Sequence, residues 1–222
     1  MLSLSRLFAR IALIAALAGA TSSNASPATD LVFSAEALNN IPARSEVTYL
    51  HERSGTGEKL FHPVNGTASL RLQPGSDGNQ VILTMREDGK LRSQTPFPAD
   101  VGNPLVMAFL EYTLRSMAQS TGGSPFYLRN RIKDSLRSGG TVENVTVKIN
   151  GEDIKAQDVV FRPFMQDPNA PKMGDFARLE LHFVVAQSVP GGFVRFQAAT
   201  PDRDGKRLYR EVIEYATLSR QE

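Results

Sequence analysis

The chain has 222 residues, of which 41% are hydrophobic and 22% are charged. These proportions exclude a disordered or collagen-like chain, and the length is sufficient for a core without disulfides or metals. Two of the 25 basic residues, Arg6 and Arg10, lie near the N-terminus, and the other 23 balance 23 acidic residues. The body of the protein therefore has no net charge, which argues against a nucleic-acid partner.

The first 25 residues follow the order of an export signal. Arg6 and Arg10 precede an apolar run over 11–18 that is too short to span a bilayer, and small residues follow it. Cleavage is expected after Ala25, with Ala20 as an earlier alternative. The chain has no Cys, so neither a lipid anchor nor a disulfide is expected. We therefore expect a periplasmic or secreted protein with no transmembrane segment once the signal is removed.

Residues 26–44 are polar, and we expect them to form a leader that crosses the surface before a single β-rich domain over 45–222. Apolar and polar side chains then alternate in three stretches, which predicts half-buried strands. The apolar positions are Val47 and Tyr49; Ala68, Leu70 and Leu72; and Val81, Leu83 and Met85. Gly and Asp residues within 74–79 and 87–90 predict tight hairpins, so neighbouring strands should be antiparallel.

A pair of helices is predicted over about 103–138. Asn103 is a good N-cap and Pro104 suits the first helical position, so a helix should begin there. Leu105–Leu114 is apolar on nearly every side, which predicts deep burial. Glu111 and Arg115 are four residues apart, a spacing that predicts an ion pair on the one polar stripe of this helix.

The second helix is predicted to have a basic face. Ser124 is expected to cap it, Pro125 to begin it and Gly139 to end it. Its basic residues are Arg129, Arg131, Lys133 and Arg137. These cations could meet the phosphates of lipid head groups, or they could simply be a solvated helix face.

Strand patterns return at Thr141 and continue to the C-terminal region. Six of the twelve Phe residues lie after position 160, so the heavier part of the core should belong to these strands. The predicted fold class is α+β. We expect a curved, largely antiparallel sheet of about nine strands, half-barrel or barrel-like, packed around the buried helix, with the basic helix beside it.

This layout resembles the half-barrel lipoprotein carriers of the bacterial envelope and other envelope proteins of similar plan. The resemblance covers residues 45–218 and depends on the helix Leu105–Leu114 used as a plug against a long antiparallel sheet. The chain differs in having its two helices together in mid-chain. In such carriers the space between sheet and helix takes up an acyl chain, so the resemblance implies an apolar or lipid-like ligand beside Phe109, Ala108 and Leu105.

No catalytic residue, metal site or cofactor is predicted. His51, His62 and His182 lie on separate elements and are expected at the surface, and Asp202–Gly205 suits a hairpin turn better than a calcium loop. Ser124 follows a helix instead of a strand, which argues against a nucleophile elbow.

Two acidic residues have mainly apolar neighbours in the predicted elements. Glu111 is on the buried helix, and Glu211 is flanked on one strand face by Tyr209 and Ile213. Structural salt bridges are expected for both carboxylates, in preference to a catalytic role.

Three functions remain open. The first is an exported, non-catalytic protein that binds an apolar or lipid-like ligand in the cell envelope. The alternative is a structural or partner-binding envelope protein whose core is filled and whose exposed strand edge captures another chain. A hydrolase is the third.

Overall fold

The computed structural model describes residues 26–57, 60–75, 78–100 and 102–220. Its α-helices are α1 (Pro27–Val32), α2 (Pro104–Thr121) and α3 (Pro125–Ser138). Short 3-10 helices lie at Ala35–Leu38, Ala170–Lys172 and Gly174–Arg178. The predicted export signal, residues 1–25, is outside the described residues.

Nine strands form a single antiparallel sheet in the described part of the chain. They are β1 (Ser45–Ser54), β2 (Val64–Gly75), β3 (Gly78–Glu87), β4 (Lys90–Pro98), β5 (Thr141–Ile149), β6 (Glu152–Phe161), β7 (Glu180–Val185), β8 (Phe193–Ala199) and β9 (Arg210–Arg220). The spatial order is β4-β3-β2-β1-β9-β8-β7-β6-β5, so β4 and β5 are the edges of an open sheet. The α2–α3 pair connects one edge to the other. The predicted α+β fold class is confirmed.

Tight turns between neighbouring strands set this topology. Asp88 and Gly89 have φ angles of 49° and 73° between β3 and β4, and Asn150 and Gly151 have φ angles of 52° and 87° between β5 and β6. Two successive positive φ angles give the turn whose twist matches antiparallel strands, and Asp, Asn and Gly tolerate them best. The first of these turns is the hairpin predicted from the Gly and Asp residues within 87–90.

The predicted alternation defines the face of the sheet that carries α2. Val47 and Tyr49 are fully buried, as are Ala68, Leu70 and Val81 on the neighbouring strands. Side chains on a strand alternate between faces, so this set of positions forms the core between the sheet and α2. Aromatic residues of the C-terminal strands continue this core, as predicted from the distribution of Phe.

The segment expected to be a surface leader contributes to the core. Ser26 caps α1 through its hydroxyl, which accepts a hydrogen bond from the backbone N–H of Thr29. Ala28 and Val32 lie four residues apart on one helix face and are buried, and Leu38 and Ile41 are buried after them. The polar composition of 26–44 concealed these apolar positions, so the expectation that structure begins near Ser45 was wrong.

The two long helices begin differently. The side chain of Asn103 accepts a hydrogen bond of 2.9 Å from the backbone N–H of Leu105, as its N-cap role predicts. Ser124 occupies the N-cap position of α3 but makes no side-chain capping bond. The predicted capping by Ser124 was wrong, whereas the predicted end near Gly139 is confirmed.

Candidate functional site

The three residues predicted to line a ligand cavity lie in or against a packed core. Phe109 is fully buried, with its ring centroid 5.6 Å from that of Phe183 and 5.7 Å from that of Phe196. Leu105 is also fully buried, and Ala108 is half-buried against the same cluster. Aromatic side chains therefore occupy the space beside Phe109 between α2 and the sheet.

A groove lies on the other side of α2, where α1, α2 and α3 meet; we call it the helix groove. Its volume is about 320 Å³, at the lower end of the range for small-molecule pockets. It is lined by Thr29, Phe33, Met107, Leu110, Glu111, Leu114, Arg129, Ile132, Lys133, Leu136 and Arg137. Most of the lining is apolar, and the charged residues come from α3 and from Glu111.

Helix packing builds this groove from three separated segments. Leu128, Ile132 and Leu136 form the narrow apolar line of α3 that packs into the core beside α2. The hydroxyl of Thr29 donates a hydrogen bond to the carbonyl of Leu136, which holds α1 against the end of α3. The groove is therefore a consequence of three short apolar faces that meet without filling the space between them.

An ion-paired network contributes Glu111 and Arg129 to the lining of the groove. Arg115 Nε lies 2.9 Å from Glu111 Oε1, which confirms the predicted pair, and Arg129 NH2 lies 3.0 Å from Glu111 Oε2. Burial would raise the pKa of Glu111, but the hydrogen bonds from Arg129 and Arg115 outweigh it and lower that pKa. Glu111 is therefore a carboxylate that ties α2 to α3.

The four basic residues predicted as one surface patch divide into three environments. Lys133 and Arg137 are exposed on the groove rim and have no acidic partner among the described residues. Arg129 is on the same rim but is paired with Glu111. Arg131 points away from the groove, with its Nε 2.8 Å from the buried carboxylate of Asp167 and NH1 3.3 Å from Asp134. Only two cations of the predicted patch are thus available to a ligand.

A second polar arrangement is buried beneath α2; we call it the Glu211 cluster. Glu211 is fully buried on β9, with His51 Nε2 and Arg53 NH2 at 2.8 Å and 2.9 Å from its Oε1. The hydroxyl of Tyr209 donates a hydrogen bond to the other carboxylate oxygen, Oε2. The structural salt bridge predicted for Glu211 is confirmed, but His51 is buried, and its predicted surface position was wrong.

Electrostatics keep Glu211 ionised in this apolar setting. Burial alone would raise its pKa, but hydrogen bonds and charge from His51 and Arg53 lower it below the usual value. Burial and the neighbouring carboxylate raise the pKa of Tyr209 well above its usual value, so Tyr209 remains a hydrogen-bond donor. The cluster is shielded from solvent and has the character of a structural ion pair between β1 and β9.

The structure also bears on the calcium loop, the metal site and the hydrolase considered from the sequence. Asp204 and Gly205 have positive φ angles, and the backbones of Arg203 and Lys206 form an antiparallel β-bridge on either side of them. This is the hairpin turn predicted for Asp202–Gly205. The described residues include no group of three or more His, Asp or Glu side chains arranged to hold a metal. Ser124 lies between two helices, not after a strand, so the geometry of a nucleophile elbow is missing there.

His182 lies in a carboxylate network on the opposite face of the sheet. Its Nδ1 is 3.0 Å from Asp158 Oδ2 and its Nε2 is 3.3 Å from Glu180 Oε2. The hydrogen bond to Asp158 raises the pKa of His182, against the effect of partial burial, and Glu180 adds to the increase. The predicted surface position holds for His62, which is exposed, whereas His182 is half-buried.

Replacing His182 with Gln should reduce stability more in acid than in base. A folded-state pKa raised above the unfolded value stabilises the fold below the unfolded pKa, and this contribution is lost as pH rises through the folded pKa. Urea unfolding at about pH 5 and about pH 9, on either side of the ordinary His value, measures the difference. His62→Gln is the control, and an equal loss at both pH values would contradict the expectation.

Within the described residues, no helix combines the length and apolarity required to cross a membrane.

Comparison with known proteins gives a structural likeness but no match by sequence. No protein-family model matches the chain, and no curated protein matches it by sequence. The crystal structure of the lipoprotein LppX of Mycobacterium tuberculosis is similar over 82% of this chain and 88% of that chain, with 12% identity and a TM-score of 0.31. A TM-score this low establishes neither a common fold nor a shared ligand.

Proposed function

We propose that the protein is a non-catalytic binding protein that holds the apolar chain of an anionic amphiphile, such as a fatty acid or a lipid, in the helix groove. The observation that carries this proposal is the combination of an apolar lining with Lys133 and Arg137 on the rim. The predicted export signal supports the further proposal that binding takes place in the cell envelope or outside the cell.

The apolar lining provides the driving force. Leu110, Leu114 and Ile132 form a buried floor, whereas Met107 and Phe33 are 60% and 39% exposed. Covering exposed apolar surface with an alkyl chain stabilises a complex by about 25 cal/mol for each Å² removed from water. The groove therefore favours a chain-like apolar ligand over a polar one.

The two cations on the rim favour a ligand with an anionic group at the end of its apolar chain. Lys133 and Arg137 are separated by one helical turn on α3 and have no acidic partner in the described part of the chain. A carboxylate or phosphate placed at the rim would meet two cations while the attached chain remains in the groove. An anionic amphiphile satisfies both features of the site at once.

Binding of a fluorescent fatty acid in the absence of membranes tests this proposal. We expect saturable binding that Met107→Asp weakens roughly tenfold or more, because a charged side chain would replace apolar lining. Leu91→Asp is the matched control, since Leu91 is 54% exposed on β4 and outside the groove lining. Unchanged binding by the Met107 variant, or an equal loss with Leu91→Asp, would contradict the proposal.

A second candidate is a partner-binding protein with a filled core. The space beside Phe109 is packed, and one side of β5 has no neighbouring strand among the described residues. An edge strand of this kind can accept an extended segment from another chain. The other edge, β4, contains Pro96 and Pro98, which restrict pairing there. Absence of saturable fatty-acid binding would favour this candidate over the first.

A further inference from the structure

We infer that the exposed face of α3 docks on the anionic surface of a lipid bilayer. In this arrangement Phe126, Met107 and Phe33 enter the interface, and Lys133 and Arg137 contact lipid phosphates. This inference goes beyond the groove ligand, because it identifies the surface that the protein meets and the side of the molecule that faces it. It stands whether or not the helix groove holds a chain.

The spacing of residues along α3 defines this face. Phe126, Arg129, Lys133 and Arg137 follow one another at intervals of three or four residues, so they form one stripe along the helix. Leu128, Ile132 and Leu136 form the buried stripe of the same helix. An apolar residue at the start of the exposed stripe is therefore followed by cations only.

Exposed apolar side chains lie at the beginning of this face and across the groove from it. Phe126 is 72% exposed at the beginning of α3. Met107, which is 60% exposed, and Phe33, which is 39% exposed, lie across the helix groove from the cations. Large apolar side chains next to a row of cations are typical of helices that lie in the interface of a membrane, where rings and thioethers reach the acyl boundary.

The charges facing this surface are unbalanced in favour of cations. Glu111 is the acidic residue in the groove lining, and it is occupied by Arg115 and Arg129. Asp134 pairs with Arg131 on the side of α3 away from the groove. Lys133 and Arg137 therefore remain available, and because the body has no net charge, attraction to an anionic surface must be local to this face.

A charge-reversal experiment tests the electrostatic part. The protein without residues 1–25, the predicted export signal, is mixed with vesicles of phosphatidylcholine and phosphatidylglycerol, or of phosphatidylcholine alone, and bound protein is measured by sedimentation at rising salt. We expect binding to the anionic vesicles only, weakened by salt and lowered at least roughly tenfold by Lys133→Glu with Arg137→Glu. Lys90→Glu with Lys155→Glu changes the net charge equally at exposed strand positions and should have little effect.

A fluorescence experiment tests which surface touches the bilayer. The chain has no Trp, so Phe126→Trp introduces a single indole. Its emission should shift to shorter wavelength with anionic vesicles, whereas Leu50→Trp, at a position 59% exposed on the sheet, should not shift.

Two variants separate this inference from the proposed groove ligand. Phe126 lies outside the groove lining, so Phe126→Asp should weaken binding to anionic vesicles without changing fatty-acid binding; Met107→Asp should weaken both. Equal binding to the two kinds of vesicle, or equal losses in the two charge-reversal variants, would overturn the inference. So would a shift for Leu50→Trp without one for Phe126→Trp, which would indicate a different docking face.

Discussion

Replacing Phe109 with Asp should unfold the protein at ordinary temperature. Phe109 has no exposed surface, and its ring contacts those of Phe183 and Phe196 beneath α2. The substitution removes a packed ring, which alone costs about 3–5 kcal/mol, and puts a carboxylate where nothing compensates its charge. The sum approaches or exceeds the total stability of a typical domain. Loss of the cooperative thermal transition and of near-ultraviolet circular dichroism would show the effect.

Met107→Asp provides the matched control on the same helix. Met107 is two residues before Phe109, and its side chain is 60% exposed. The same new charge placed there remains hydrated, so stability should change by no more than about 1 kcal/mol. Similar losses for the two variants would show that α2 does not plug the sheet through Phe109. Arg131→Asp is unsuitable as a neutral control, because it removes the partner of the buried carboxylate of Asp167.

Local patterns were sufficient to predict the fold class. Alternation at Val47 and Tyr49 and at the equivalent positions of β2 and β3 identifies the strands, and Asp88 and Gly89 identify a turn that only antiparallel neighbours use. The pairing of β1 with β9 joins residues more than 150 positions apart. No local signal encodes such a pairing, which joins the N-terminal and C-terminal strands into one contiguous open sheet that packs against α2.

The same alternation could have located the Glu211 cluster. Val47, Tyr49, His51 and Arg53 occupy every second position of β1, so a buried Tyr49 implies that His51 points into the core as well. The prediction that His51 lies at the surface was based on its polarity and not on its position in the alternating pattern of β1. A buried His and Arg need an acid, and Glu211 is the acid that shares a strand face with Tyr209 and Ile213.

The number of α3 cations without an acidic partner could not be predicted from the sequence alone. The i, i+4 spacing correctly placed Arg129, Lys133 and Arg137 together, but it gave no information about Asp167, which lies on a distant loop and binds Arg131. The helix groove was likewise not predicted, because it depends on α1, whose apolar positions were concealed in a polar segment. Burial of Leu105–Leu114 was predicted, but exposure of Met107 within it depends on where α3 and α1 stop covering α2.

Replacing Glu211 with Gln should destabilise the fold by about 3–5 kcal/mol, the usual cost of breaking a buried ion pair by removing one partner. Gln has nearly the same shape, so the loss comes from charge and not from a cavity. Arg53, whose side chain is 9% exposed, would be left as a buried cation whose carboxylate partner has gone. Denaturant unfolding with an unchanged slope would measure this loss as a lower midpoint.

Two further variants distinguish this explanation from a general sensitivity of β9. Glu214→Gln removes a carboxylate that is half exposed on the same strand and lies 3.8 Å from Arg195. It should change stability by less than about 1 kcal/mol, as expected for a surface pair. Adding Arg53→Met to Glu211→Gln should recover part of the lost stability, because it removes the cation left unpaired. Additive losses in this double variant, or equal losses for Glu211→Gln and Glu214→Gln, would mean that the buried charges do not stabilise the β1–β9 junction through each other.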